Sequence, residues 1–82
     1  MQSFFAIKNA SSRPCISVSI DGERIFDCIL KGQVSPYILL DCGSIAVCAY
    51  DNYEKKFLDK WISVSPYKRH TLSVYDNFMF FT

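Results

Sequence analysis

Four cysteines and one histidine are the side chains best suited to nucleophilic or metal chemistry in this 82-residue chain. None of the cysteine spacings is the Cys-x-x-Cys of a zinc knuckle or a thioredoxin-like site. Cys48 and His70 are the simplest pairing of a nucleophile with a base. However, no glycine-rich loop supplies oxyanion donors, and a single histidine beside Arg69 is typical of a solvated turn. We therefore expect a protein that is not an enzyme and that holds neither a metal ion nor a cofactor.

The sequence leaves the redox state of the cysteines open. An even number of them in a chain this short would form two disulfides in a secreted protein, with three alternative pairings. The first residues lack both the basic leader and the apolar stretch of a secretory signal, and a charge arrives at Lys8. These features favour free thiols, and a cytoplasmic protein, with a spore as one such setting, over a secreted one. The four residues are Cys15, Cys28, Cys42 and Cys48.

The eight acidic residues fall mostly among turn-forming residues. Paired carboxylates can serve as general acid and base, and clustered ones can bind calcium, but no Asp-x-Asp-x-Asp loop is present. We expect these side chains to solubilise loops and to stabilise turns through their oxygens.

Basic and aromatic residues are densest around Trp61 and Tyr67. Stacking combined with positive charge is a way to bind single-stranded nucleic acid. The net charge is only +1, so we expect no nucleic-acid partner. Trp61 with Tyr50, Tyr53 or Tyr67 could instead form a sugar-stacking platform, which makes a carbohydrate-binding module with a polysaccharide partner the alternative function. The competing explanation for these aromatic residues is that they belong to the core.

Large apolar residues lie on both faces of the two terminal strands, at Phe4-Phe5 and at residues 78–81. Terminal strands are often sheet edges, and an exposed apolar edge associates with other chains. We expect Phe78 and Phe80 to contact a second copy of the chain or another protein, with two-fold pairing as the simplest arrangement. The competing explanation is again that these residues are ordinary core.

Turn formers recur about every ten residues, which predicts short strands in a single domain of residues 1–82. Apolar and small polar side chains alternate over residues 15–20, which predicts a strand. The Asp21-Gly22 dipeptide that follows is suited to a type I′ turn into a strand over 23–30. In that strand we expect Phe26, Cys28 and Leu30 to share one face, with residues 25, 27 and 29 on the other.

The later strands are predicted by the same alternation. In the run 34–40 we expect a strand with Pro36 at its start, and we expect a central strand over 44–50 that is apolar on both faces. Residues 52–61 also fit a helical stripe, although the alternation beyond them favours a strand. Further strands are predicted over 70–75, with Leu72 and Val74 inward, and over 78–81. Apolar stretches are far shorter than the ~20 residues that span a bilayer, so no membrane span is expected.

Three motifs follow one another in order. Ile-Lys-Asn-Ala-Ser at 7–11 precedes Pro14, Val-Ser-Ile-Asp-Gly occupies 18–22, and Leu-Lys-Gly-Gln-Val-Ser-Pro-Tyr-Ile-Leu-Leu fills 30–40 before Gly43. The chain thereby resembles a bacterial domain-of-unknown-function family of small immunoglobulin- or transthyretin-like β-sandwiches in envelope and surface proteins. The resemblance implies a fold, no catalytic residues, and a role in binding or assembly in envelope, matrix or sporulation settings.

The sequence thus predicts an all-β protein, an antiparallel β-sandwich of about seven or eight strands of immunoglobulin-like or transthyretin-like type. The expected function is a non-catalytic structural or protein-interaction module. It would assemble with itself, or with a bacterial envelope, matrix or spore-layer component, through edge strands.

Overall fold

The computed structural model describes all 82 residues and consists of eight strands joined by turns and loops. The all-β prediction is confirmed. No segment forms a helix that is both long and apolar enough for a bilayer crossing. The strands are β1 (Gln2–Asn9), β2 (Cys15–Ile20), β3 (Glu23–Leu30), β4 (Ile38–Asp41), β5 (Gly43–Tyr50), β6 (Lys56–Val64), β7 (Arg69–Val74) and β8 (Met79–Phe81).

The strands form two four-stranded sheets. Sheet A has the order β4-β1-β7-β8, and sheet B has the order β3-β2-β5-β6. All pairs in sheet B are antiparallel. In sheet A, β1 and β7 run parallel, from the Phe4–Arg69 pair to the Asn9–Val74 pair, so the prediction of a wholly antiparallel sandwich is wrong there. All of sheet B and β4 lie between these two strands in sequence, which gives the chain a crossover long enough to return in the same direction.

The core lies between the two sheets and follows from the two-residue period of the strands. In β1, Phe5 and Ile7 point inward and are fully buried, whereas Phe4 and Lys8 on the opposite face are exposed. Each buried side chain of this size contributes about 1.5–3 kcal/mol. The fully buried apolar residues of the core cluster are Phe5, Ile7, Ile16, Val18, Val47, Ala49, Leu72 and Val74.

The β2–β3 hairpin is closed by the predicted turn. Asp21 and Gly22 have φ angles of 51° and 84°, as a type I′ turn requires. The predicted faces of β3 are wrong, because the pairing with β2 shifts register twice along the strand. Cys28 lies at one of these bulges with a φ of 51° and is exposed. Phe26 and Ile29 are therefore both buried, although they are three positions apart and would lie on opposite faces of a regular strand.

Most of the remaining strand predictions are confirmed. β4 begins two residues after Pro36, later than predicted, and β5 is central in sheet B. The ambiguous region continues into strand β6, and Leu72 and Val74 of β7 point inward. The last strand is an edge, as predicted, but β1 lies inside sheet A between β4 and β7.

Candidate functional site

The candidate nucleophile and base do not meet. His70 is buried in β7 of sheet A, whereas Cys48 is half-buried on β5 of sheet B. The prediction of a solvated histidine is wrong, because His70 is in phase with the inward residues of its strand. Its ring stacks on Phe81 with 4.9 Å between centroids, and its two nitrogens lie 3.0 Å from Ser65 O and 3.2 Å from Thr82 O. These contacts give His70 a structural role.

The carboxylates stabilise turns, as predicted. Asp51 Oδ1 accepts hydrogen bonds from the N–H groups of Tyr53 and Lys55, and the bond from Lys55 is the main cause of a lowered Asp51 pKa. Asp76 Oδ1 accepts from the N–H and hydroxyl groups of Ser12 and from the Arg13 guanidinium. These bonds, the Ser12 N–H first, lower the pKa of Asp76.

Other charged groups pair at the surface. The guanidinium of Arg24 binds the carboxylate of Glu54, and this hydrogen bond raises the pKa of Arg24 and lowers that of Glu54. No three His, Cys, Asp or Glu side chains lie close enough together to hold a metal ion.

The four predicted binding residues do not form one site. Phe78 and Phe80 are together on the outer face of sheet A, and Trp61 is on the outer face of sheet B. Tyr67 is exposed in the β6–β7 loop, where its N–H donates to Gln2 O. Trp61 and Tyr67 therefore do not lie on one face of a sheet.

The outer face of sheet A carries an exposed apolar cluster beside edge strand β4, which we call the β4 patch (Phe4, Tyr37, Leu39 and Arg69). Phe4 and Leu39 are cross-strand partners and are 45% and 56% exposed. The Tyr37 ring meets that of Phe4 edge-on at 6.3 Å, and the Arg69 guanidinium lies 6.0 Å from the Phe4 centroid and 5.8 Å from that of Tyr37.

A second cluster lies beside edge strand β8 on the same face, and we call it the β8 patch (Tyr75, Phe78 and Phe80). Tyr75 and Phe78 stack with 4.6 Å between ring centroids. Phe80 is 54% exposed and pairs with Ser73 of β7. Two cross-strand pairs lie between the patches: Ala6, which is fully buried, with the half-buried Thr71, and the exposed Lys8 with Ser73.

The two edge strands of sheet A, β8 and β4, differ in how accessible their unpaired main-chain groups are to another strand. Tyr75 N–H donates to Phe78 O and Thr82 N–H to Thr71 O, so the main-chain groups of Met79 point away from β7. Lys60 of β6 donates its ammonium proton to Met79 O at 3.1 Å and partly covers this edge. At the other edge, Phe4 donates its N–H to Lys68 O on the β7 side. The main-chain groups of its partner Leu39 therefore point to solvent.

The outer face of sheet B carries Trp61, the residue predicted to bind carbohydrate in the alternative function. Trp61 is 72% exposed and borders a depression of about 210 Å³ that Ala46, Cys48 and Asp59 also line. Ser19 of β2 faces the same side of the sheet, and its buried hydroxyl has no hydrogen-bond partner.

Comparisons with protein-family models, with curated proteins and with solved structures found no match. The family resemblance described above stays a prediction.

The sequence predicts an exposed Phe80, but no prediction covers the exposed Tyr37 and Leu39. The available signal was the Pro36 that marks β4 as an edge strand, followed by apolar residues at every position to Leu40. A run that is apolar on both faces of an edge strand leaves one apolar face outside the core.

Proposed function

We propose that this protein is a non-catalytic interaction module that assembles with copies of itself through sheet A. One observation carries the proposal: Phe4, Leu39 and Phe80 are about half exposed on one face of a sheet whose other face is the core. Apolar clusters that stand out from a polar surface mark interaction sites.

The occupant we propose is a second copy, because the two patches form a self-complementary surface. They lie at opposite corners of one face. A two-fold axis in the plane of that face can therefore place patch on patch. The net charge of +1 offers little repulsion between copies.

Edge pairing can form a second, separate contact between copies, because sheets that stack face to face lie about 10 Å apart and cannot also pair at their edges. The Leu39 main-chain groups face solvent, and an antiparallel partner strand at β4 would satisfy them while bringing two β4 patches together. Pairing at β8 would first have to displace Lys60 from Met79 O. We therefore assign face-to-face side-chain packing to the two patches, and strand pairing with a further copy to β4.

The test is the concentration dependence of the molecular mass, measured by sedimentation or light scattering. We expect the wild-type chain to associate and Leu39→Lys and Phe80→Lys each to weaken association roughly tenfold or more, because each removes one buried apolar side chain from the contact. Tyr53→Lys is the matched control, since Tyr53 is exposed in the β5–β6 turn, outside both patches. A wild-type chain that stays monomeric, or a control that weakens association as much, contradicts the proposal.

The family resemblance extends the proposal in two ways. It suggests bacterial envelope, matrix or spore-layer proteins as further partners. It also suggests an immunoglobulin-like or transthyretin-like arrangement of the strands.

A carbohydrate-binding module is the second candidate, favoured by the exposed Trp61 and the unpaired Ser19 hydroxyl on one sheet face. Trp61 is the only tryptophan, so its fluorescence reports directly on that face. If sugars bind there, soluble polysaccharides shift the emission, and Trp61→Ala abolishes retention on the same polysaccharide in affinity electrophoresis. An unchanged spectrum across a polysaccharide panel eliminates this candidate.

A further inference from the structure

Two of the four free thiols lie near each other across the β2–β3 hairpin. Cys15 begins β2 opposite Leu30, and the next pair is Ile16 with Ile29, so Cys28 is the diagonal neighbour of Cys15. Ile16 and Ile29 point into the core. The two cysteines lie outside it, Cys15 half-buried and Cys28 exposed. The Cys28 thiol is also the main cause of a raised Cys15 pKa, as expected for side chains in contact.

We propose that Cys15 and Cys28 form a dithiol site that reacts with small-molecule disulfides, such as glutathione disulfide, and closes to an intramolecular disulfide bond. This modification site is independent of the proposed self-association through sheet A, because it lies on sheet B.

The backbone around Cys28 makes closure feasible. Diagonal Cα atoms in a regular ladder are about 7–8 Å apart, slightly beyond the usual limit of about 7 Å for a disulfide. Cys28 departs from the regular ladder, since it has a φ of 51° at a bulge. β3 is also an edge strand, paired only with β2, so it can shift without disturbing a second ladder.

The oxidation takes two steps, and Cys28 reacts first because it is the more exposed of the two thiols. The Cys28 thiolate attacks one sulfur of glutathione disulfide, the S–S bond breaks, and one glutathione thiolate leaves and takes up a proton. The Cys15 thiolate then attacks the Cys28 sulfur of the mixed disulfide and releases the second glutathione. The protein loses two electrons and two protons, and glutathione disulfide gains both.

The other two cysteines are placed differently. Cys42 is in the turn between β4 and β5, and Cys48 lies inside sheet B between Ser19 and Asp59. Neither is the diagonal neighbour of a cysteine across a strand pair, so we expect both to stay outside the intramolecular bond.

Tryptic peptides distinguish the pairings. Cleavage after Lys8, Arg24, Lys31 and Lys55 separates the two thiols, because trypsin does not cut between Arg13 and Pro14. Cys15 then lies in peptide 9–24, Cys28 in 25–31, and both other cysteines in 32–55. The fully reduced native chain is equilibrated with reduced and oxidised glutathione, acid-quenched, alkylated and digested for mass spectrometry.

We expect a 9–24/25–31 cross-linked peptide and the loss of two of the four titratable thiols. In Cys15→Ser, Cys28 should accumulate as a mixed disulfide with glutathione, and in Cys28→Ser, Cys15 should stay mostly reduced. Cys48→Ser should leave the cross-link yield unchanged. Recovery of alkylated Cys15 and Cys28 from the oxidised sample overturns the proposal. So does an equal yield of a bridge within peptide 32–55, which would show unselective pairing.

Discussion

At the scale of single residues, Asn9 joins three segments of the chain. Its side-chain amide donates to Ile29 O at 2.9 Å and to Arg13 O at 3.2 Å, and its Oδ1 accepts from the N–H and hydroxyl groups of Ser11. Asn9 is fully buried, and its bonds to Ile29 O and to the two Ser11 groups are buried with it, so these polar groups need partners within the protein. This is a physical reason for the Asn-Ala-Ser motif at the end of β1: the asparagine fixes the following loop and the end of β3.

Replacing Asn9 with alanine should therefore destabilise the fold by about 2–3 kcal/mol, because the Ile29 carbonyl and the Ser11 groups stay buried and lose their hydrogen bonds to Asn9. Urea unfolding followed by circular dichroism measures this. Asn77→Ala is the control, since the Asn77 side chain is exposed and makes no hydrogen bond. It should change stability by less than about 0.5 kcal/mol. Equal midpoints for the two variants would contradict this role of Asn9.

At the scale of strands, the sequence specifies local structure better than pairing. The bounds of β2 and β3 follow from alternation and from the Asp21-Gly22 dipeptide, because those signals act between neighbouring residues. The bulge at Cys28 has no such marker, so the faces of β3 were not predictable. The parallel pairing of β1 with β7 depends on contacts between residues more than sixty positions apart, which no local pattern encodes.

The candidate site, too, could be predicted only where it depends on local structure and not on strand pairing. An exposed Phe80 follows from an apolar strand at the end of the domain, and the structure places that strand at an edge. The β4 patch requires knowing that β4 pairs with β1 and that Ile38 and Leu40, rather than Tyr37 and Leu39, face the core. Period two separates the faces of a strand, but it does not say which face is inside when both are apolar.

At the scale of the whole molecule, ion pairs connect loops that are distant in sequence. Arg13 pairs with Asp76 and so links the β1–β2 loop to the β7–β8 turn. The Arg13 guanidinium also lies 3.7 Å from the centroid of Phe57 at the start of β6, which connects both sheets at this end. Arg24 and Glu54 join β3 to the β5–β6 turn. The loops at the ends of the sandwich therefore depend on ionised carboxylates.

This dependence predicts a loss of stability in acid. The pKa values of Asp51, Glu54 and Asp76 are lowered in the folded chain from ordinary values of 3.8, 4.5 and 3.8. A lowered folded pKa contributes stability that is complete above the ordinary value and is lost as the pH falls below it, since the unfolded chain then binds more protons. Urea midpoints should therefore be flat above about pH 5 and fall steadily below it.

Asp76→Asn keeps an oxygen acceptor for Ser12 but removes the charge, so it should lower the urea midpoint at pH 7 and make the midpoint less dependent on pH below about pH 5. Asp41→Asn, whose exposed carboxylate makes no hydrogen bond or ion pair, should reproduce the wild-type curve. Parallel pH profiles for Asp76→Asn and the wild-type chain would show that this carboxylate does not contribute to acid sensitivity.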